Sequence, residues 1–78
     1  MIEPQEIHQI IQEKFPDAEV TVQDLTGTQD HFSVHVIWAG FQGKSLIEQH
    51  QMVHDALDGP LGDGRIHALS IKTMRINP

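Results

Sequence analysis

There is no cysteine among the 78 residues of this chain. No disulfide can staple the fold, and at this length a core lies near the lower limit for folding unaided. Stability must come from apolar burial or from a partner. The missing thiols also remove the soft ligands of metal clusters. Any such group held here relies on histidine, of which there are six, or borrows thiolates from elsewhere. A cysteine-free chain fits a reducing compartment. Cations are scarce too: five Lys and Arg stand against eleven Asp and Glu, a net charge of −6. That balance opposes general affinity for nucleic acid. It is uneven, because after Asp63 the chain carries Arg65, Lys72 and Arg75 and no acid, which allows a local basic edge. No run approaches the ~18 apolar residues of a membrane span. The first residues, with Glu3, Pro4 and Glu6, have neither the basic nor the apolar segment of a signal peptide. The expectation is a soluble cytoplasmic protein of one domain, residues 1–78, with no membrane attachment.

What is present reads as five elements, with room for a short sixth. Residues 3–15 form a helix: Pro4 suits the first turn, and Ile7, Ile10, Ile11, Lys14 and Phe15 recur at helical spacing. Pro16 ends it. Glu19 to Asp24 alternates as a strand, with Val20 and Val22 on one face. A loop follows in which Gly27 can take positive φ. A second strand runs from about His31 to Trp38, with Phe32, Val34 and Val36 on one side, and a hairpin joins the two. Ser45-Leu46-Ile47-Glu48 is a capping box, opening a helix whose stripe reads Leu46, His50, Val53 and Leu57 and which ends at Asp58-Gly59-Pro60. After a glycine-rich turn, with room for one short helical turn, a last strand spans about 66–76. Leu69 and Ile71 point to one side with His67. Helices covering one face of a three-stranded sheet give a two-layer α+β fold.

His67 is the residue that carries most chemistry. It sits at the mouth of an apolar strand, where a rigid backbone stands behind an imidazole that can still reach a partner. Around it are Phe41-x-Gly43-Lys44-Ser45, then His50-Gln51-Met52-Val53 with Ala56-Leu57, then Ile66-His67-Ala68-Leu69-Ser70-Ile71, while Asp30-His31-Phe32 is similar to the start of the second strand in an IbaG-like branch. With these pieces in this order, nearly the whole chain resembles the BolA family. The resemblance implies an α-β-β-α-α-β fold similar to type II KH domains. It also implies a non-enzymatic adaptor that binds a monothiol glutaredoxin with a Cys-Gly-Phe-Ser site, in iron–sulfur cluster transfer or iron homeostasis. The two proteins then share a [2Fe–2S] cluster. Glutaredoxin and glutathione supply thiolates, and a C-terminal-strand histidine, here His67, supplies nitrogen. Arg65, Ile66, Ala68 and Lys72 are the expected partner-binding residues. The protein is a monomer or weak dimer alone, without cofactor, and a heterodimer with glutaredoxin.

The chain departs from that family in one place. The loop before the second strand, Gly27-Thr28-Gln29, has neither the cysteine nor the histidine that many members keep there. His31 is the nearest replacement, and less so Asp30. Two imidazoles on one iron would resemble Rieske ligation, which raises the potential.

Other features carry bland readings beside sharp ones. His50 and His54 are helix neighbours at a spacing used by zinc sites, but no third ligand is evident and His50 reads as a packed or hydrogen-bonded residue. Gly59-Pro60-Leu61-Gly62 matches the GxxG loop with which KH domains clamp nucleic acid. With Arg65, Lys72 and Arg75 it makes the alternative, a DNA-binding transcriptional regulator. Pro60 removes a donor there, and Asp58 and Asp63 repel phosphate, so a helix-terminating turn is the plainer reading. Trp38 and Phe41 are suited to stacking a base or to covering the sheet edge. No nucleophile with a base, no carboxylate pair with a role and no phosphate-cradling loop points to an enzyme.

Overall fold

A computed structural model describes residues 2–27 and 31–74 of the chain. Helix α1, Pro4–Lys14, starts from an extended Glu3 that offers no side-chain cap; instead Pro4 occupies the first turn with Glu6 near the positive end of the helix dipole. Ile7 and Ile11 are its fully buried stripe. The helix stops at Phe15, whose ψ of 76° leaves the helical region ahead of Pro16. Gln12 Nε2 then donates to the Phe15 and Ala18 carbonyls at 3.2 and 3.0 Å, giving partners to backbone oxygens that the helix cannot reach.

Strands β1, Glu19–Asp24, and β2, His31–Ile37, pair antiparallel, Val20 opposite Val36 and Val22 opposite Val34. At the end of β1 the Asp24 carboxylate accepts from the backbone of Thr26 and Gly27 at 3.3 and 3.0 Å, and Gly27 takes a φ of +76°. Strand β3, Ala68–Met74, lies parallel to β2 on its other side, so the sheet is mixed with order β1-β2-β3. Helix α2, Leu46–Ala56, and a short helix α3, Asp58–Gly62, form the crossover between β2 and β3. Phe32, Val34 and Val36 of the central strand are completely buried beneath the helices. Burial of each contributes about 1.5–3 kcal/mol relative to exposure. The alternate residues of β2, from His31 to Ile37, are half-buried on the sheet's other face. The two-layer α+β fold expected from the sequence is the one observed.

Helix α2 has the expected capping box. The Glu48 N–H donates to Ser45 Oγ at 3.1 Å, and the Ser45 N–H donates to Glu48 Oε1 at 3.2 Å. The backbone and hydroxyl of Ser45 hold the Glu48 carboxyl below its ordinary range. The buried face of α2 matches the expected apolar stripe only at Val53 and Leu57. Leu46 is 62% exposed and His50 half-buried, while Gln49, Val53 and Leu57 face the core. Gln49 can be buried because its amide is bonded at both ends. Its Nε2 donates to the Lys44 carbonyl at 2.9 Å, and its Oε1 accepts from Thr73 Oγ1 at 2.6 Å. That pair ties the start of α2 to β3.

The Gly59–Gly62 segment is a further correction. It is neither a GxxG loop nor a plain turn, but the body of α3. Glycine disfavours helix by about 1 kcal/mol per residue, yet burial and two backbone bonds hold this one. Pro60 is buried, the Leu61 N–H donates to the Leu57 carbonyl at 3.0 Å, and the Ile66 N–H donates to the Pro60 carbonyl at 3.1 Å. Pro60 stands in the first turn, where a missing N–H costs nothing.

Candidate functional site

The parallel pairing of β2 with β3 places His31 directly opposite Ala68, the residue after His67. Two histidines far apart in sequence thereby meet at one end of the sheet. Their ring centres are 6.2 Å apart and their planes are nearly perpendicular, at 89°. His67 does not itself lie in β3. It occupies a bend just before the strand, so the alternation that would group it with Leu69 and Ile71 does not extend to it; its exposed ring lies beside His31 instead.

The backbone on both sides of His67 is anchored. Ile66, expected at a partner surface, is 3% exposed; its side chain belongs to the core. Its N–H reaches back to α3, and Ala68 enters the ladder with β2. Arg65 is half-buried and held by its own chain. Its Nε lies 2.9 Å from Asp63 Oδ2, and its guanidinium is 3.9 Å from Glu6 Oε2 on α1. The Asp63 carboxyl is lowered, first by the Arg65 backbone N–H at 3.0 Å and, against some desolvation, by its guanidinium. These contacts fix the approach to His67 and occupy donors that a phosphate or partner carboxylate would need.

Ala68 and Lys72 are exposed on β3. Lys72 stands opposite His35, four residues further along the strand than the His31–Ala68 pair, or about 13 Å. The site thus brings together His67, His31 and Ala68; it leaves Lys72 at a distance, Ile66 inside and Arg65 tied down. Gly59 and Gly62 belong to α3, and Asp30 and Arg75 lie outside the described residues. Gln49, which no apolar or motif pattern marks, is the buried residue that fastens β3 to α2.

Chemically, the site offers nitrogen and no sulfur. Two imidazoles on one tetrahedral ion stand about 5 Å apart between ring centres, given metal–nitrogen bonds of about 2.1 Å. The observed 6.2 Å is wider by about an ångström, within reach of side-chain rotation. No group of three His, Cys, Asp or Glu able to hold a metal ion occurs among the described residues. This donor set suits one side of a shared metal centre and not a closed site.

A family model described as BolA-like protein matches residues 3–77. An uncharacterized protein, RP812, of Rickettsia prowazekii is 39% identical over 75 residues, which cover 96% of each chain. Protein BOLA2 of Arabidopsis thaliana is 34% identical over 92% of this chain and 76% of its own. Among solved structures, BolA1 of Arabidopsis thaliana superposes with a TM-score of 0.84 at 27% identity, covering 99% of this chain and all of the other.

Proposed function

The chain belongs to the BolA family, and from that premise we propose that it is a cytoplasmic, non-enzymatic adaptor that binds a monothiol glutaredoxin and shares a [2Fe–2S] cluster with it. The observation that carries this reading is the pair of imidazoles, His31 and His67, at one end of the β2–β3 pairing. A [2Fe–2S] cluster takes four protein ligands, commonly thiolates, with histidine replacing two on one iron in Rieske centres. A chain with no cysteine and two adjacent imidazoles supplies the nitrogen half of such a set, leaving thiolates to glutaredoxin and glutathione. His67 is the first ligand because the anchored Ile66 and Ala68 hold its backbone; His31 is the second. The cluster, when bound, supplies one-electron chemistry and a transferable iron–sulfur unit. The role of this chain is to present imidazoles in place of thiolates, which lowers the negative charge on its side.

Co-expression with a monothiol glutaredoxin, or reconstitution with iron, sulfide and glutathione, tests the reading. A coloured heterodimer is expected, with the histidine-dependent part of its visible and electron-spin spectra lost in His67→Ala and altered in His31→Ala. An unchanged spectrum in His67→Ala overturns the ligand assignment. A colourless heterodimer overturns cluster sharing while leaving the partnership.

A further inference from the structure

The outer face of α2 carries a second pair of histidines, His50 and His54, remote in sequence from the first. Residues four apart on a helix are neighbours, with Cβ atoms about 5–6 Å apart, close enough for both rings to reach one ion. His50 is half-buried and His54 exposed. Neither ring has a hydrogen-bond partner among the described residues, and neither packs in the core. Gln49 takes the buried position beside Val53 that the apolar pattern would have given to His50. Both rings line one surface cavity of about 250 Å³, completed by Ile47, Gln51 and Ile71. The Gln51 amide donates to Asp55 at 2.8 Å, so it is held along the same helix turn. Hydrogen bonding, one ordinary reason for a helix histidine, is thus missing for both rings among the described residues, and His54 is exposed as well.

We propose that His50 and His54 form a chelating site for a first-row divalent ion of the imidazole-preferring kind, zinc or copper, separate from the His31–His67 pair. Two imidazoles from successive turns supply adjacent coordination positions, and water completes the set. Imidazole favours zinc and copper over magnesium or calcium, which prefer oxygen. The chain as a whole carries a net charge of −6, which favours cations over anions at its surface. Binding through two linked donors makes the second contact intramolecular, so loss of either imidazole costs about 10²-fold in affinity. The site links two successive turns of α2, so occupancy stabilises the folded state over the unfolded chain.

Zinc chloride, titrated up to about 1 mM into the metal-free protein at pH 7.5, is the probe, with imidazole resonances followed by NMR. The expected result is that the His50 and His54 ring signals move together along one saturating curve. His50→Gln and His54→Gln should each weaken that curve by about 10²-fold, while the double variant His31→Gln/His67→Gln leaves it intact. Far-UV circular dichroism verifies that each variant is folded, and the thermal midpoint of the wild type should rise with zinc while that of His54→Gln does not. Binding in His54→Gln within about threefold of wild type, where chelation demands far more, overturns the proposal. So does a titration in which only His31 and His67 respond, or none does.

Discussion

The two ends of β2 are built for opposite purposes. At the Ile37 end the strand runs into Trp38, whose ring centre lies 4.8 Å from that of Phe15 and 5.3 Å from that of Phe41, each in edge-on geometry. Phe15 and Phe41 are themselves 5.8 Å apart. Three aromatic rings, one from the end of α1 and two from the turn after β2, close that end, and Phe41 has no exposure at all. At the His31 end no such cluster forms among the described residues, and the two rings that lie side by side are imidazoles. A small domain without disulfides cannot pack every edge, and this one concentrates its aromatic packing at one end of the central strand. Contrast between the ends teaches that stability and candidate ligation have been separated along a single strand. Substitutions at one end should therefore move folding, and at the other chemistry.

The largest effect is expected from Phe41→Ala. Removing a fully buried aromatic ring costs about 3–5 kcal/mol, a large share of the 5–15 kcal/mol typical of a whole domain. Urea unfolding followed by far-UV circular dichroism should show a midpoint displaced strongly downward, or a chain unfolded at 37 °C. A loss below about 1 kcal/mol would be ordinary surface behaviour and would mean that the aromatic end does not anchor the fold.

Gly40→Ala sharpens the same contrast with less force. A Cβ at position 40 would stand 2.6–2.7 Å from ring carbons of Trp38, so the indole must shift. Overpacking of this kind costs about 1–3 kcal/mol. The altered Trp38 environment should appear as a change in its fluorescence, since it is the only tryptophan in the chain.

Ser45→Ala probes the segment that leaves the aromatic end. Loss of this N-cap costs about 1 kcal/mol of stability at neutral pH. Glu48 adds a pH signature, because its folded-state pKa lies below its ordinary value of 4.5. A depressed carboxylate stabilises the fold above its unfolded pKa, and that contribution is lost as pH falls through the folded value. The gap in thermal midpoint between wild type and Ser45→Ala should therefore narrow when the pH is lowered from neutrality to below 4. A gap constant across that range would show that the Glu48 half of the capping box contributes nothing.

Much of this arrangement is legible in the residues themselves. The Ile7–Ile11 stripe, the alternation of β1 and β2 and the Ser45–Glu48 box are local patterns, and each survives intact in the structure. The misreadings share a cause in tertiary context. Gln49 lies in the core because Lys44 and Thr73 satisfy its amide, a fact that no hydropathy pattern carries. Leu46 points outward from the first turn of α2, although its apolarity marks it for the core. The glycines of α3 argue for a loop, but buried Pro60 and the bond from Ile66 impose a helix. The nearness of His31 to His67 is an expectation of the family resemblance alone; no local pattern carries it, because it depends on the register of a parallel pair joined through two helices.

The smallest effect on folding, and the largest difference between the two ends, is expected from His67→Ala. The side chain is exposed, lies in a bend and adds nothing to the hydrophobic core. Surface substitutions of this sort move stability by no more than about 0.5 kcal/mol. The urea midpoint and far-UV spectrum should therefore match those of the wild type, even as the reconstituted complex with glutaredoxin and glutathione loses its histidine-dependent spectral features. Both measurements are needed on the same preparation, because spectral loss in an unfolded variant would say nothing about ligation. A His67→Ala variant that unfolds as Phe41→Ala does would make the His31 end a structural one, and the division of labour along β2 would not hold. A variant that folds fully and loses only the cluster signature leaves the imidazole with one role, that of a ligand held in position by a strand whose stability is secured at its opposite end.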